Sequence, residues 1–227
     1  PSVKAADAVW LGLGVQYRAI GLDLTEPDFL RTLDDATRDL DVGLVIGNAG
    51  AAVPGEFLSG DRERFLDCVR LKVVGNLTLV HHFGRRLAAR GRGGVLLVSS
   101  IGGLQGVGFI ANNAATEAYV LSLGEGLHDE FRRSGLHMTV LLPGPTATPG
   151  MSAMVDPATV YPKPMSASDC AAEGLAALAA NRATHIAGRS NRVMFALMPR
   201  SVASWMMSTM IGRMFASSTL PGDQFVR

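Results

Sequence analysis

Val98-Ser99-Ser100, followed by Asn112-Asn113-Ala114-Ala115-Thr116-Glu117-Ala118-Tyr119, is the stretch that decides the fold of this chain. The first segment closes the run Val95 to Val98, whose unbroken hydrophobicity predicts a strand buried on both faces. The second opens a helix from Asn113 to Arg133, with Tyr119, Val120, Leu123 and Leu127 as its apolar stripe. The same pattern repeats outward. Val42 to Ile46 is a short buried strand running into Gly47-Asn48-Ala49-Gly50. Met138 to Leu142 is another, ending at Pro143-Gly144-Pro145. Weak alternation over Val15 to Leu22 predicts a strand that turns at Asp23-Leu24-Thr25. Glu26-Pro27-Asp28 then opens a helix to about Asp39, since Pro and acids suit a first turn. Arg62 to Arg90 reads as one long helix. Ser168 to Ala180 reads as an Ala-rich helix with Ser168 as its N-cap. Apolar strands alternating with helices predict a doubly wound α/β fold, a parallel sheet covered on both faces, over a single domain spanning 1–227. Ligands in such sheets sit beyond the carboxyl ends of the strands. The loops after residues 22, 46, 98 and 142 are therefore the ones to watch.

Composition narrows the function classes. Hydrophobic residues make up 48% and charged residues 18% of 227, which fits a packed core and excludes a disordered chain. A net charge of +1 argues against a dedicated nucleic-acid binder. Arg85, Arg86, Arg90 and Arg92 cluster at a helix end, where cations complement the dipole. Cys68 and Cys170, in apolar surroundings, predict buried thiols of a reducing, cytoplasmic compartment. His81 and His82 point apart on a helix and the other histidines are scattered, so no metal-binding spacing is visible. Val193 to Phe215 carries six methionines and Trp205, divided by Pro199. Its longest uncharged run is too short to span a bilayer. It is packing material, a lid over a lipophilic substrate, or a membrane-surface contact.

These motifs, in this order, resemble the short-chain dehydrogenase/reductase family over nearly the whole chain. Asp23 matches the family's acceptor for the cofactor adenine. Asn48, Ala49 and Gly50 match the motif that lies along the cofactor. Pro143, Gly144, Thr146 and Thr148 match the segment that contacts the nicotinamide carboxamide. The resemblance implies NAD or NADP as cofactor, a small lipophilic alcohol or ketone as substrate, and a homodimer or homotetramer built on the long helices. It also implies a catalytic tetrad of Asn, Ser, Tyr and Lys. Here those positions read Lys72, Ser100, Asn113 and Glu117, so only Ser100 matches. Asn113 has no titratable proton, and Glu117 is an anion where the family has a cation. Asn113 and Glu117, four apart, share a helix face. Lys72 and Glu117 are expected to form an ion pair, either inert or repurposed for acid/base chemistry with Glu117 as base. Tyr161, near the substrate loop, is either a substitute acid or a packed loop residue.

The front of the chain departs as well. Gly12-Leu13-Gly14 lacks the third glycine and the following helix of a phosphate-binding loop. Pro1 to Leu11 reads as the end of the family's second helix, so the first β-α-β unit is expected to be missing: either the sequence is part of a longer chain, or the sheet is re-knit, or a partner supplies strands. The pyrophosphate would then lose its helix N-terminus. Three functions follow as expectations: an NAD(P)-dependent oxidoreductase with altered or impaired catalysis, a non-catalytic binding or scaffold protein, and a cofactor-independent acid/base enzyme using Glu117.

Overall fold

The computed structural model describes residues 16–148 and 164–217. They fall into two compact units that divide after Asp41. In the first unit, Gln16 to Asp23 is irregular rather than the strand expected over Val15 to Leu22. A strand needs a neighbour for its backbone N–H and C=O groups, and weak alternation cannot supply one. The turn expected there does form. Asp23 Oδ1 accepts from Thr25 N at 2.8 Å and from Thr25 Oγ1 at 2.7 Å, which holds its carboxyl below the ordinary range. Helix α1, Phe29–Thr37, follows. Arg18 forms two 2.8 Å hydrogen bonds to Asp39, and this holds the Asp39 carboxyl down at about 2.

The second unit is built on a parallel sheet. Strand β1 is Leu44–Gly47. A single helical rod follows, made of α2, Arg62–Val69, a π-helical turn at Arg70–Val74, and α3, Gly75–Arg90. It ends at Gly91, whose φ of 70° is the left-handed cap that glycine adopts freely. Then come β2, Gly93–Val98; α4, Ala111–Arg133; and β3, Leu136–Leu142. Thr146–Ala147 (β4) and Met165–Ser166 (β5) form a small parallel pair. Helix α5, Ala167–Ala179, leads to β6, Thr184–Ile186, and two tail helices close the described chain, α6, Arg189–Leu197, and α7, Arg200–Ser217. The order in the main sheet is β1-β2-β3-β6, all parallel. This is the doubly wound α/β fold, with α4 against one face of β3 and α5 against the other. Strand β6 was not read from the sequence, because Thr184-His185-Ile186 is too short to show a period.

Alternate residues of each strand serve the two layers, as pleating requires. Met138 and Val140 face α4, and Leu141 faces α5. Close packing depends on small residues. A Cβ on Gly124 of α4 would lie 2.1 Å from Val140 Cγ2 and 3.3 Å from Met138 Cε. Val140 is β-branched and fully buried, so it cannot swing aside. Gly124→Ala is therefore expected to destabilise by about 1–3 kcal/mol, although alanine is the better helix former by about 1 kcal/mol. Urea unfolding checks the sign. A gain in stability would mean that α4 and β3 are more loosely packed.

The cap of helix α5 lies two residues before the expected one. Ser166, not Ser168, accepts from Asp169 N at 3.0 Å. Both serines are cap types, and only the entry path of β5 separates them. The two cysteines are buried thiols, as expected. Among the described residues, strand β1 pairs only with β2, and it is not buried throughout as expected: Leu44 and Ile46 are exposed while Val45 and Gly47 are buried. Gly12-Leu13-Gly14, Pro1 to Leu11 and Tyr161 lie outside the described residues.

Candidate active site

Ser100 stands just beyond the carboxyl end of β2. Ser99 N donates to Leu141 O at 2.8 Å, and Ile101 N donates to Pro143 O at 3.0 Å, so the ends of β2 and β3 are tied together. The chain then enters a 3-10 turn at Ile101–Leu104, where the Ser100 hydroxyl oxygen accepts from Gly102 N at 3.1 Å. A Cβ on Gly103 would come within 2.8 Å of the Glu117 backbone, so only glycine lets this turn press on α4. Ser99 Oγ donates to Glu117 O at 2.9 Å. These contacts fix the height of Glu117 relative to Ser100.

Lys72 and Glu117 meet. Lys72 Nζ lies 3.2 Å from Glu117 Oε1 and donates to Val98 O at 2.7 Å. The two side chains are only 4% and 10% exposed. The loop after β1 closes over the ammonium, since a Cβ on Gly50 would lie 3.2 Å from Nζ. Lys72 turns inward from the π-helical segment. The wide turn is braced by Asn76, whose Nδ2 donates to Lys72 O at 2.7 Å. Asn76 is buried and its Oδ1 has no partner, as is also true of Glu117 Oε2. The sequence reading missed Asn76. A polar residue inside the apolar run Val73-Val74-Gly75-Asn76-Leu77 was the available signal.

Burial raises the Glu117 carboxyl above its ordinary range, and the Lys72 charge and hydrogen bond pull it back only in part. The pair is thus held at a desolvation cost, as buried ion pairs commonly are. Asn113 lies one turn before Glu117, in the first two turns of α4, where its carbonyl accepts from Thr116 Oγ1 at 2.9 Å.

Two cavities open on this end of the sheet. The first, about 660 Å³, is lined by Asn48, Ser100, Pro143, Gly144, Thr146 and Thr148, among others. Six residues expected from sequence to lie along a cofactor or beside the substrate therefore converge on one space. Its far wall is Ala167, Cys170, Ala171 and Leu175 of α5, a face that the Ala-rich pattern did not single out. The second cavity, about 790 Å³, is lined mainly by apolar side chains, including Ile101, Met165, Met194, Phe195, Met206 and Met210. Lys72, Asn113 and Glu117 line neither. Asp23 belongs to the other unit, where its hydrogen bonds are local. No group of His, Cys, Asp and Glu suited to a metal occurs among the described residues.

These residues fit a nicotinamide nucleotide in part. The first cavity offers hydroxyl and backbone groups to a carboxamide. Among the described residues, no Gly-rich loop opens a helix toward a pyrophosphate.

A parallel sheet wrapped by helices, with a serine at a strand end and a cavity across the carboxyl ends, defines a Rossmann-like protein of the dehydrogenase type. The short chain dehydrogenase profile matches residues 4–158, and the chain belongs to that family. It is 28% identical over 195 residues to a 7beta-hydroxysteroid dehydrogenase of Clostridium sardiniense, covering 83% of this chain and 72% of that protein. It is 28% identical over 138 residues to the 7beta-hydroxysteroid dehydrogenase of Collinsella aerofaciens, covering 61% of this chain and 52% of that one. Among solved structures, one from a study of 7beta-hydroxysteroid dehydrogenase stereoselectivity matches with a TM-score of 0.80 at 24% identity, over 91% of this chain and 81% of that chain. A short-chain dehydrogenase from Sphingobium yanoikuyae in complex with NADPH matches at 0.73 and 24%, over 99% and 84%. At that identity the structures establish the fold.

Proposed function

We propose that this short-chain dehydrogenase accepts the nicotinamide end of NAD or NADP in the cavity beside Ser100 and a lipophilic alcohol or ketone in the methionine-lined cavity, with the family's hydride transfer lost or strongly slowed. The observation that carries this reading is the buried Lys72–Glu117 pair. Hydride delivered to a ketone leaves an alkoxide that must be protonated. A neighbouring acid of suitable pKa accelerates such steps by about 10²–10⁴-fold. The position one turn before Glu117 holds an amide, and the cation that would tune an acid there is replaced by a carboxylate. The apolar cavity has the size typical of small-molecule sites, and relatives named for hydroxysteroids support a lipophilic ligand. Exposed Leu66, Val74 and Leu77 along the long helical rod, with Tyr119 on α4, support a homodimer or homotetramer built on those helices. The buried free thiols support a cytoplasmic setting.

A second reading, a binding or scaffold protein of the same fold, is favoured by the partial fit of the dinucleotide. The Glu117 carboxylate faces Lys72 and lines neither cavity, which favours a structural role for the pair over a general base. Titrating NADH and NADPH while following nicotinamide fluorescence separates the first two readings. Enhancement that saturates, without turnover of lipophilic ketones, is the expected result. No binding by the natural full-length chain would leave the scaffold reading.

A further inference from the structure

Helix α7 has no continuous polar face: apolar residues, small hydroxyl residues and two arginines alternate around it. Such a helix is ordinarily covered on every side. Three sides of α7 are covered. Ala203 and Met207 are buried. Met206 and Met210 line the larger cavity. Ser204 donates to Gly106 O at 2.7 Å, and Ser208 Oγ accepts from Gly108 N at 2.7 Å. The remaining side presents Val202, 46% exposed, and Trp205, 70% exposed, with Arg213 on the same stripe at helical spacing. Helix α6, joined to α7 through Met198-Pro199, leaves Val193 53% and Leu197 80% exposed, one turn apart. A tryptophan and a leucine this far out of the core have no folding role.

Charge indicates what covers them. From Ile186 to Gly222 the sequence holds four arginines and no Asp or Glu. Arg192 is bound by Glu173 at 2.6 Å. Arg189, Arg200 and Arg213 are exposed. A second copy of the same face would bring like charges together. A nucleic acid would match the charge but leave Leu197 and Val193 without a counterpart. The boundary between lipid headgroups and acyl chains matches both, because aliphatic and indole groups sit beneath a layer of phosphates there. Among the described residues no helix is long and apolar enough to cross a membrane, so the contact lies along the surface.

We propose that the α6–α7 face docks on an anionic phospholipid bilayer, with Trp205 and Leu197 at the headgroup boundary and Arg189, Arg200 and Arg213 toward the phosphates. The docking stands apart from the ligand reading above. If that reading also holds, the methionine-lined cavity adjoins the docking side of α7, since Met206 and Met210 neighbour Val202 and Arg213 at helical spacing, and a lipophilic ligand would have a short path from membrane to site.

The test uses flotation with vesicles of phosphatidylcholine containing phosphatidylglycerol, against phosphatidylcholine alone. Trp10→Phe makes Trp205 the only indole. Binding to the anionic vesicles alone is expected, weakened by salt, with a blue shift of Trp205 emission and quenching by brominated acyl chains. Arg200→Gln and Arg213→Gln should each weaken partition by about fivefold, and Leu197→Ser by about tenfold. These are surface changes, and circular dichroism confirms that the variants fold. Folded protein that ignores both vesicles, binds both equally, or binds undiminished after these substitutions overturns the proposal. So does a concentration-dependent dimer that buries Trp205 without lipid, which would assign the face to a second copy.

Discussion

Lys72→Asn, Asn113→Tyr and Glu117→Lys introduced together should raise NAD(P)-dependent turnover of a lipophilic ketone by about 10²–10⁴-fold, the usual contribution of one positioned acid. The single changes should do almost nothing. Asn113→Tyr alone sets a phenol one helical turn from the Glu117 carboxylate, and a nearby anion raises the phenol's pKa rather than lowering it. Glu117→Lys alone sets a second ammonium beside Lys72, which now lies 3.2 Å from the carboxylate. Lys72→Asn alone strips the buried carboxylate of its counter-charge. Only the triple change replaces one self-consistent set by another, so the effects are strongly non-additive. Absorbance of the reduced nicotinamide follows the rate, and its fluorescence establishes that each variant binds cofactor. A folded, cofactor-bound triple variant with no gain would show that something other than the missing acid limits the reaction.

The same pair dominates a second prediction, on stability. Removing one partner of a buried ion pair typically costs about 3–5 kcal/mol, because the other charge stays behind in a poor solvent. Against a total of about 5–15 kcal/mol for a domain, Lys72→Met should remove a large share of the stability at neutral pH. Lys72→Met with Glu117→Leu should recover that loss and end neutral or more stable by about 1–4 kcal/mol. The upward shift at Glu117 supports the recovery, since burial outweighs the attraction to Lys72. It also sets a pH dependence. The folded carboxyl has the higher pKa, so its protonation favours the native state. That contribution is complete below the ordinary Glu range and is lost as pH rises through the raised folded value. Unfolding in urea at a series of pH values should show wild type losing stability relative to Glu117→Gln over that window, then running parallel. A Lys72→Met variant as stable as wild type would mean that the pair is hydrated.

Much of this fold was legible in the chain. The runs ending at Val98 and Leu142 are continuous and apolar, and strands buried on both faces need nothing more; the run ending at Ile46 forms a strand too, with Leu44 and Ile46 exposed. The long helices carried their own periods. The pairing of Lys72 with Glu117 could be expected because the fold fixes which positions meet, and the two side chains do meet. The strand expected at Val15 to Leu22 was misread for the complementary reason. A strand is defined by the edge it pairs with, and that edge is not local in sequence. The cap on α5 went to Ser166 instead of Ser168 by a choice between equivalent residues that only the path of β5 makes.

The sequence by itself determined most of the architecture, and that a serine stands at position 100, an amide at 113 and a carboxylate at 117. Tertiary structure alone decided that Lys72 reaches Glu117 through a π-helical turn braced by Asn76, that this pair is sealed away from both cavities, and that the methionines line a cavity while Trp205 stays outside. Which residues occur is written along the chain. Which face each one presents, and what covers that face, depends on elements tens of residues away.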